Sequence, residues 1–571
     1  MPYRAPINEF SFIFDKIVGL GDVTSTPLFE DASHDVVTAI LAEAAKLSDE
    51  KLAPVNRSGD EHHTVLENGV MRAAPGYGEA YQAIAEGGWV GIAARPESGG
   101  MGLPMTVASA VNDMMGAACL SLQLVPLLSM GQIEALEHHA SDAIKELYLP
   151  KLTSGEWTGT MNLSEPQAGS DVGALATKAE PNGDGTFSIT GQKIWISWGD
   201  ADFAENICHL VLARLPDAPK GTKGISLFMV PKFLPDADGN PGERNDLRVV
   251  SIEGKMGLHG SPTCVMEYSG AKGWLVGPEG GGMAAMFTMM NNARLGVGVQ
   301  GVSSAEGAYQ HALAYAMERK QGRTPVEGPG TIIDHADVRR MLAESKCDIF
   351  AARCIALACA AAIDMGNATG DAAWKARAAF LTPIAKAFGT ETGMRVSETG
   401  VQIFGGMGFV EETGAAQYYR DVRVTAIYEG TNGIQAMDLV ARKLMDGGEA
   451  AYALLDEIEA DAEKTRATLP ELAEPVWQAT ETLREATEWL VSQSDLQDRF
   501  AGAVPYLMGF ARVLGGYYHL KAALAEGGEG TRSRLAKFYI DRLLPEHTGL
   551  LTHARQGAVD LYAITHDDLV A

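Results

Sequence analysis

Several segments of the chain hold residue types that could do chemistry. The first is Met161-Asn-Leu-Ser-Glu-Pro-Gln-Ala-Gly-Ser-Asp171. Its Gly169-Ser-Asp step lets a backbone come close to a ligand, and Ser164 and Ser170 offer hydroxyls. Taken alone it reads as a capped turn. The second, Trp195-Ile-Ser197, closes a strand-like run; a Trp there is more often core than a shelf for a ligand. The third, Gln402-Ile-Phe-Gly-Gly-Met-Gly408, has glycines that permit close packing or the approach of a phosphate. The fourth is Tyr428-Glu-Gly-Thr-Asn-Gly-Ile-Gln435, where one carboxylate sits beside a glycine after an apolar, β-like run. An isolated Glu is usually just solvated.

Composition narrows what these residues serve. The chain has 571 residues, 46 Lys+Arg against 73 Asp+Glu, and a formal charge of −27. Hydrophobic residues make up 46% and charged residues 21%, a globular balance that excludes disorder. The acidic excess argues against a nucleic-acid surface or an anionic membrane, which need clustered Lys and Arg. It leaves room for a small anionic ligand held by a few Arg. The cysteines at 119, 208, 264, 347, 354 and 359 form no CxxC pair. No metal site is therefore expected, and the thiols read as small buried hydrophobes in a reducing compartment. The opening residues start no apolar signal core, and the longest small-and-apolar run, Cys354 to Ile363, is too short to span a bilayer. A cytoplasmic protein is expected.

The elements that must position these segments follow from periodicity. Residues 34–160 read mainly as helix, with Val36, Val37, Ile40, Leu41 and Ala44 on one face. The turn signal Pro181-Asn-Gly-Asp-Gly185 opens a strand-rich region, and 161–275 reads as a β domain. From Met283 long Ala-rich helices return. Pro383 is expected to kink or split the helix over 372–388. The domain expectation is 1–160 helical with an N-terminal extension, 161–280 β-barrel, 281–446 helical bundle and 447–571 a C-terminal helical appendix, locally acidic over Leu454–Arg466.

In this order and separation the segments resemble the acyl-CoA dehydrogenase family over about residues 70–445. Residues 163–171 match its Leu-Thr/Ser-Glu-Pro-x-Ala-Gly-Ser-Asp, 195–197 its Trp-Ile-Thr/Ser, 402–408 its Gln-Ile-x-Gly-Gly-x-Gly, and 428–431 its Tyr-Glu-Gly-Thr. Glu318-Arg319-Lys320 and Lys255-Met-Gly257 are similar to two further family segments. The implied fold is mostly α with a central β domain: a helical domain, a β-barrel and a four-helix bundle, here with an extra C-terminal helical domain.

The resemblance implies an FAD-dependent enzyme that removes a proton from Cα of an acyl-CoA and passes hydride from Cβ to flavin N5. Glu429 becomes the base. The developing enolate oxygen would be held by the Glu429 backbone N–H and a flavin ribityl hydroxyl. Acyl-chain binding would expel water and raise the carboxylate pKa. Gly430 would leave room for the thioester, and Tyr428 flanks it. Some family members carry the base just before the position of Arg294; Ala293 there cannot act. Met161, Leu163, Ser164 and Ser170 would line the isoalloxazine and pyrophosphate, Trp195 with Ile196 would cover the flavin face, and Ser197 would bond near N5. Arg319 would reach the FAD of a neighbouring subunit, while Gln402, Gly405 and Gly406 would approach the adenosine with Thr431 beside it. Ser170 would also touch the acyl-CoA. Arg294 would support the CoA part or the catalytic loop; its plainer reading is a surface ion-pair Arg. A homodimer, with a tetramer possible, and electron-transferring flavoprotein as acceptor are implied.

Departures touch adenosine packing: Gln321-Gly-Arg323 replaces a usual Phe-Gly pair, and Gly433 stands where Gln or Glu is common. The appendix, Tyr3-Arg-Ala-Pro, Phe10-Ser-Phe-Ile-Phe14 and Leu258-His-Gly-Ser-Pro-Thr263 look like a bacterial branch acting on 3-methylmercaptopropionyl-CoA in dimethylsulfoniopropionate breakdown. Its product would be 3-methylmercaptoacryloyl-CoA. The alternatives are a general short- or medium-chain fatty acyl-CoA dehydrogenase, an acyl-CoA oxidase, a DNA-associated flavoprotein, which the acidity opposes, and a flavoprotein without turnover, which Glu429 opposes.

Overall fold

The computed structural model describes residues 3–325 and 330–571, which fall into two units. One comprises Glu43–Leu103 and Met114–Ala293; the other comprises Met1–Ala42, Pro104–Asp113 and Arg294–Ala571.

The first unit is built around strands. Helix α1, Leu120–His139, is apolar nearly all round and correspondingly buried. It lies directly on strand β1, Trp157–Asn162, where the Gly159 N–H donates to Ser129 Oγ at 3.0 Å. A Cβ at Gly159 would stand 1.8 Å from Gln132 Oε1, so only glycine allows this approach. The other strands are β2 Lys178–Pro181, β3 Phe187–Ser197, β4 Asn206–Arg214, β5 Ile225–Pro231, β6 Leu247–Ile252 and β7 Thr263–Val276. The order is β6-β7-β3-β2-β4-β1, and β5 pairs with both β7 and β4, which closes a barrel. The β1/β4 and β2/β4 pairs are parallel and the rest antiparallel. Ile189, Val211, Phe228, Val230 and Met266 fill the interior. The helical reading of 34–160 missed one hairpin, Val65–Glu67 with Val70–Arg72. Its turn is Asn68-Gly69, both at positive φ, a two-residue hairpin signal present in the sequence.

The second unit is helical. Helix α2 is Gly282–Glu318, of which the part from Arg294 belongs here. It is joined by α3, Ala336–Thr369, and α4, Ala372–Phe404. α3 is long and apolar enough to cross a bilayer by composition alone, and its apolar stretch is mostly buried. Of the kink or split expected at Pro383, the split does not occur: α4 runs through it as one helix. The proline costs one backbone hydrogen bond, and burial of Phe380, Leu381, Ile384 and Phe388 around it outweighs that loss. Helices α2 and α4 approach closely through glycines. A Cβ at Gly298 would lie 2.6 Å from the Ala385 carbonyl oxygen, and one at Gly301 would lie 2.2 Å from that of Gly389.

The run before Glu429 is also corrected. Arg423–Ala426 forms a tight helical turn rather than a strand, and the Tyr428 N–H donates to the Val424 carbonyl at 3.1 Å. Short helix α5, Asn432–Asp438, follows. The C-terminal helices share this unit with the bundle. In α6, Ala503–Ala525, Arg512 is buried, bonds Asp348 of α3, and meets Glu546 at 2.7 Å. Of the eight exposed large hydrophobics described from Val504 onward, six fall in the last stretch of the chain, at Val559, Leu561, Tyr562, Ile564, Leu569 and Val570.

Candidate active site

In the helical unit the structure builds a site around Glu429. The residue has φ +55, a left-handed conformation that costs a non-glycine residue about 1–3 kcal/mol. Its neighbour Gly430 has φ +83, where an added Cβ would lie 2.8 Å from Gln435 Nε2. Glycine is therefore a backbone requirement of this turn. Thr431 ends it as the N-cap of α5, its hydroxyl accepting from the Ile434 N–H at 3.2 Å.

Side chains from three helices hold the turn. Gln435 Nε2 donates to the Glu429 carbonyl at 3.2 Å and to that of Gly430 at 3.4 Å. The Tyr428 hydroxyl donates to Gln300 Oε1 on α2. On α4, Lys386 Nζ donates to Asn432 Oδ1 at 2.9 Å, and Asn432 Nδ2 donates to Glu391 Oε1 at 2.9 Å. Arg294 on α2 is buried and faces Asp438 at 3.6 Å. The surface ion-pair reading of Arg294 is thereby replaced.

The carboxylate of Glu429 stands apart from this bonding. Its Oε2 is shut off from solvent and accepts no hydrogen bond. Burial pushes its pKa up to about 7, while the charges of Arg294 and Lys386 hold it back from rising further. A carboxylate near neutrality with an unengaged oxygen is suited to take up a proton. Burial likewise lowers the pKa of Lys386 to about 8 and pushes that of Tyr428 far up.

The other expected residues of this unit lie elsewhere in it. Gln402, Gly405 and Gly406 sit at the far end of α4 and are exposed; a Cβ at either glycine would meet nothing within 4 Å. Arg319, exposed just past α2, is at the same end, because Tyr315 stacks on Phe404 with centroids 4.1 Å apart. Between Lys386 and Gln402 the helix rises about 24 Å, at about 1.5 Å per residue. Thr431, in the turn that Lys386 bonds through Asn432, is thus well separated from the glycine pair within one chain.

In the β unit the expected residues gather along β1, the loop after it and the end of β3. Ile189 and Lys193 of β3 point inward, and two-residue alternation would put Trp195 inward too. A bulge prevents this. Met266 pairs with Lys193 and Cys264 with Ile196, so β3 spends one extra residue there. Trp195 takes φ +62 and turns out, 58% exposed, while Ile196 goes into the core. Trp195 is thus a displayed ring rather than core, and Ile196 can offer a ligand only its backbone. Trp198 is the buried one, its Nε1 donating to the Ser121 carbonyl at 3.0 Å.

The loop after β1 is pinned by a buried ion pair. Lys193 Nζ meets Glu165 Oε1 at 2.8 Å and donates to the Leu163 carbonyl at 3.0 Å. Glu165 also accepts from the Ala176 N–H, the Thr177 N–H and the Thr177 hydroxyl. Burial alone would raise its pKa, but Lys193 and these donors hold it down to about 2. Met161, Leu163 and Ser164 keep partial exposure and Ser170 is exposed, as a ligand-facing loop requires. Ser197 closes β3 opposite Thr263.

Lys386, Gln300, Gln435, Asn432 and the Glu165–Lys193 pair escaped the sequence reading. A signal existed for one of them: Lys386 is a lone lysine within the apolar run Ile384–Phe388.

Comparison with known proteins agrees with this architecture. Family models described as acyl-CoA dehydrogenase N-terminal domain, middle domain and C-terminal domain match residues 35–156, 160–271 and 280–445. One described as acetyl-CoA dehydrogenase C-terminal like matches 454–565. The chain belongs to the acyl-CoA dehydrogenase family, and it is an FAD-dependent oxidoreductase. Among its relatives, 3-methylmercaptopropionyl-CoA dehydrogenase of Ruegeria pomeroyi is 42% identical over 94% of both chains. A butyryl-CoA dehydrogenase of Syntrophomonas wolfei is 32% identical over 98% of both. The crystal structure of an acyl-CoA dehydrogenase from Bacillus anthracis, complexed with FAD, shares the fold with a TM-score of 0.74 at 22% identity, covering 100% of this chain and 94% of that one.

Proposed function

We propose that this enzyme desaturates 3-methylmercaptopropionyl-CoA to 3-methylmercaptoacryloyl-CoA, with Glu429 as the base. The substrate assignment is supported by the 42% identity to the Ruegeria enzyme over nearly the whole chain, C-terminal helices included. The 32% identity to a butyryl-CoA dehydrogenase keeps a short straight-chain acyl-CoA as the second reading. The observation that carries the mechanism is Glu429 itself: a carboxylate in a strained turn, its Oε2 dry and unbonded, with a pKa near neutrality.

The residues fit the cofactor. Trp195 is displayed on a bulge instead of buried, and Gly405 and Gly406 leave open space for a close approach. Met161, Leu163, Ser164, Ser170, Trp195, the Ile196 backbone and Ser197 would hold FAD on the β unit. Bound FAD supplies the two-electron acceptor for the hydride lost from Cβ. Glu429 takes the Cα proton onto its carboxylate, and its backbone N–H would support the thioester oxygen as charge develops there. Arg294 keeps the carboxylate ionised before the transfer, and Gly430 keeps the space beside it clear.

Arg319, Gln402, Gly405 and Gly406 would serve the adenosine end of an FAD held by a second copy. The family resemblance of Glu318-Arg319-Lys320 supports this, and Tyr315 stacked on Phe404 puts Arg319 at the same end of the bundle as Gln402. The reading therefore includes a homodimer. Electron-transferring flavoprotein as acceptor and a cytoplasmic location complete it. Anaerobic flavin bleaching against 3-methylmercaptopropionyl-, butanoyl- and octanoyl-CoA tests the substrate. Fastest bleaching by the thioether substrate supports the assignment, and fastest bleaching by butanoyl-CoA replaces it with the second reading. Rapid H₂O₂ release without an added acceptor would make the enzyme an oxidase.

A further inference from the structure

Lys386 is fully buried in the middle of α4, among Ile384, Ala385, Ala387 and Phe388. A buried ammonium is costly unless bonded and paired. Its ammonium donates to Asn432 Oδ1 at 2.9 Å, and its electrostatic partners are Glu429 and Glu391, with Arg294 opposing. Asn432 is three residues from Glu429 in the same turn and is held on its other side by Glu391 and Thr390. The glycine contacts of α2 with α4 bring Gly298 against Lys386 itself: a Cβ there would come within 3.1 Å of the Lys386 Cα. Lys386 thus reaches the base-bearing turn from within the α2–α4 contact, through Asn432.

We infer that Lys386 is a positioning residue for the proton transfer, holding the Glu429 turn through Asn432 and placing a positive charge that favours the ionised base. This rests on Glu429 being the base. The groups facing the carboxylate are Arg294 on α2 and Lys386 on α4; Asp438 and Arg442 act on Arg294 from α5 and the turn after it, and Glu391 acts on Lys386. Of the two cations, Arg294 is already engaged with Asp438 at 3.6 Å. Lys386 bonds the neutral Asn432 and adds its charge to that of Arg294, the larger of the two influences on Glu429.

The test uses the holoenzyme carrying Lys386→Met, Lys386→Gln or Lys386→Arg, with FAD content checked first. Substrate-induced bleaching is followed by stopped flow from pH 6 to 9.5. With Met or Gln, the pH midpoint should rise by about one unit, the rate at pH 7 should fall about tenfold, and the rates should converge with wild type above about pH 9, because a nearby charge shifts a buried carboxylate by about that much. Arg should restore the midpoint, and the substrate KM should change far less than the rate. A uniform slowing with an unmoved midpoint, or no effect at all, overturns the inference. If Met and Gln fail to fold, Asn432→Ala provides the second arm: slowed bleaching with little change of KM is expected, and an unchanged rate overturns the tether. A Glu429→Gln control separates the readings. If it still bleaches, the base assignment fails; if it is inert while the Lys386 midpoint stays put, only this inference fails.

Discussion

Gln435 donates to the backbone carbonyl of Glu429 at 3.2 Å, so a buried amide, one helical turn into α5, pins a residue held in a left-handed conformation. The strain at Glu429 persists because this bond and the Gly430 bond over-determine the turn. Gln435→Leu removes both bonds while keeping similar bulk. Its expected effect is a fall in kcat of about tenfold or more with FAD retained, since a misplacement near 1 Å can cost about a hundredfold. Stopped-flow bleaching with a cofactor count checks it.

The pKa of Glu429, raised to about 7, has a consequence for pH. The base must be ionised, so bleaching should rise with pH through about 7 with unit slope. The stability sign is opposite. A carboxyl whose folded pKa lies above its unfolded value of 4.5 favours the fold below that value, and the contribution is lost as pH rises through about 7. Glu429→Gln should therefore gain more Tm relative to wild type at pH 8 than at pH 5, measured by calorimetry. An equal gain at both would mean that Glu429 is not the perturbed group.

The Glu165–Lys193 pair makes a different prediction. Both side chains are buried, so Lys193→Met leaves a carboxylate stranded, at a cost of about 3–5 kcal/mol. The loop carrying Leu163, Ser164 and Ser170 should loosen, and FAD should dissociate on dilution. In acid the pair should fail as Glu165 protonates. Its folded pKa of about 2 lies below the unfolded 4.5, so its stabilising share is present above 4.5 and lost as pH falls toward 2.

Arg512 ties the C-terminal helices to the bundle through Asp348 and braces them internally through Glu546. Arg512→Leu should destabilise by about 1–3 kcal/mol: Asp348 loses its partner on α6 but keeps Arg395, so its buried charge is only partly uncompensated. A single lowered calorimetric transition is expected, because these helices share a unit with the bundle. Two separate transitions would instead mark an independent appendix.

The sequence showed the types and order of the elements because period and turn chemistry are local. It showed Glu429, Trp195 and Gly405-Gly406 because their neighbours form ordered segments. It did not show which way Trp195 faces, since that depends on a bulge set by pairing with β7. Nor did it show the uninterrupted α4, because Pro383 is outweighed by packing from other helices. Lys386 and Gln435 escaped for the same reason: their roles exist only once α4 and α5 meet the turn at Glu429.

The most direct measurement is anaerobic mixing of the FAD-loaded Glu429→Gln enzyme with excess 3-methylmercaptopropionyl-CoA while flavin absorbance is followed. The amide keeps the shape and the turn but cannot accept the Cα proton. Substrate should bind and perturb the flavin spectrum, and bleaching should slow by about 10⁴-fold or more, the upper end of what a positioned general base contributes. Bleaching within tenfold of the wild-type rate would contradict the assignment of Glu429 as the base.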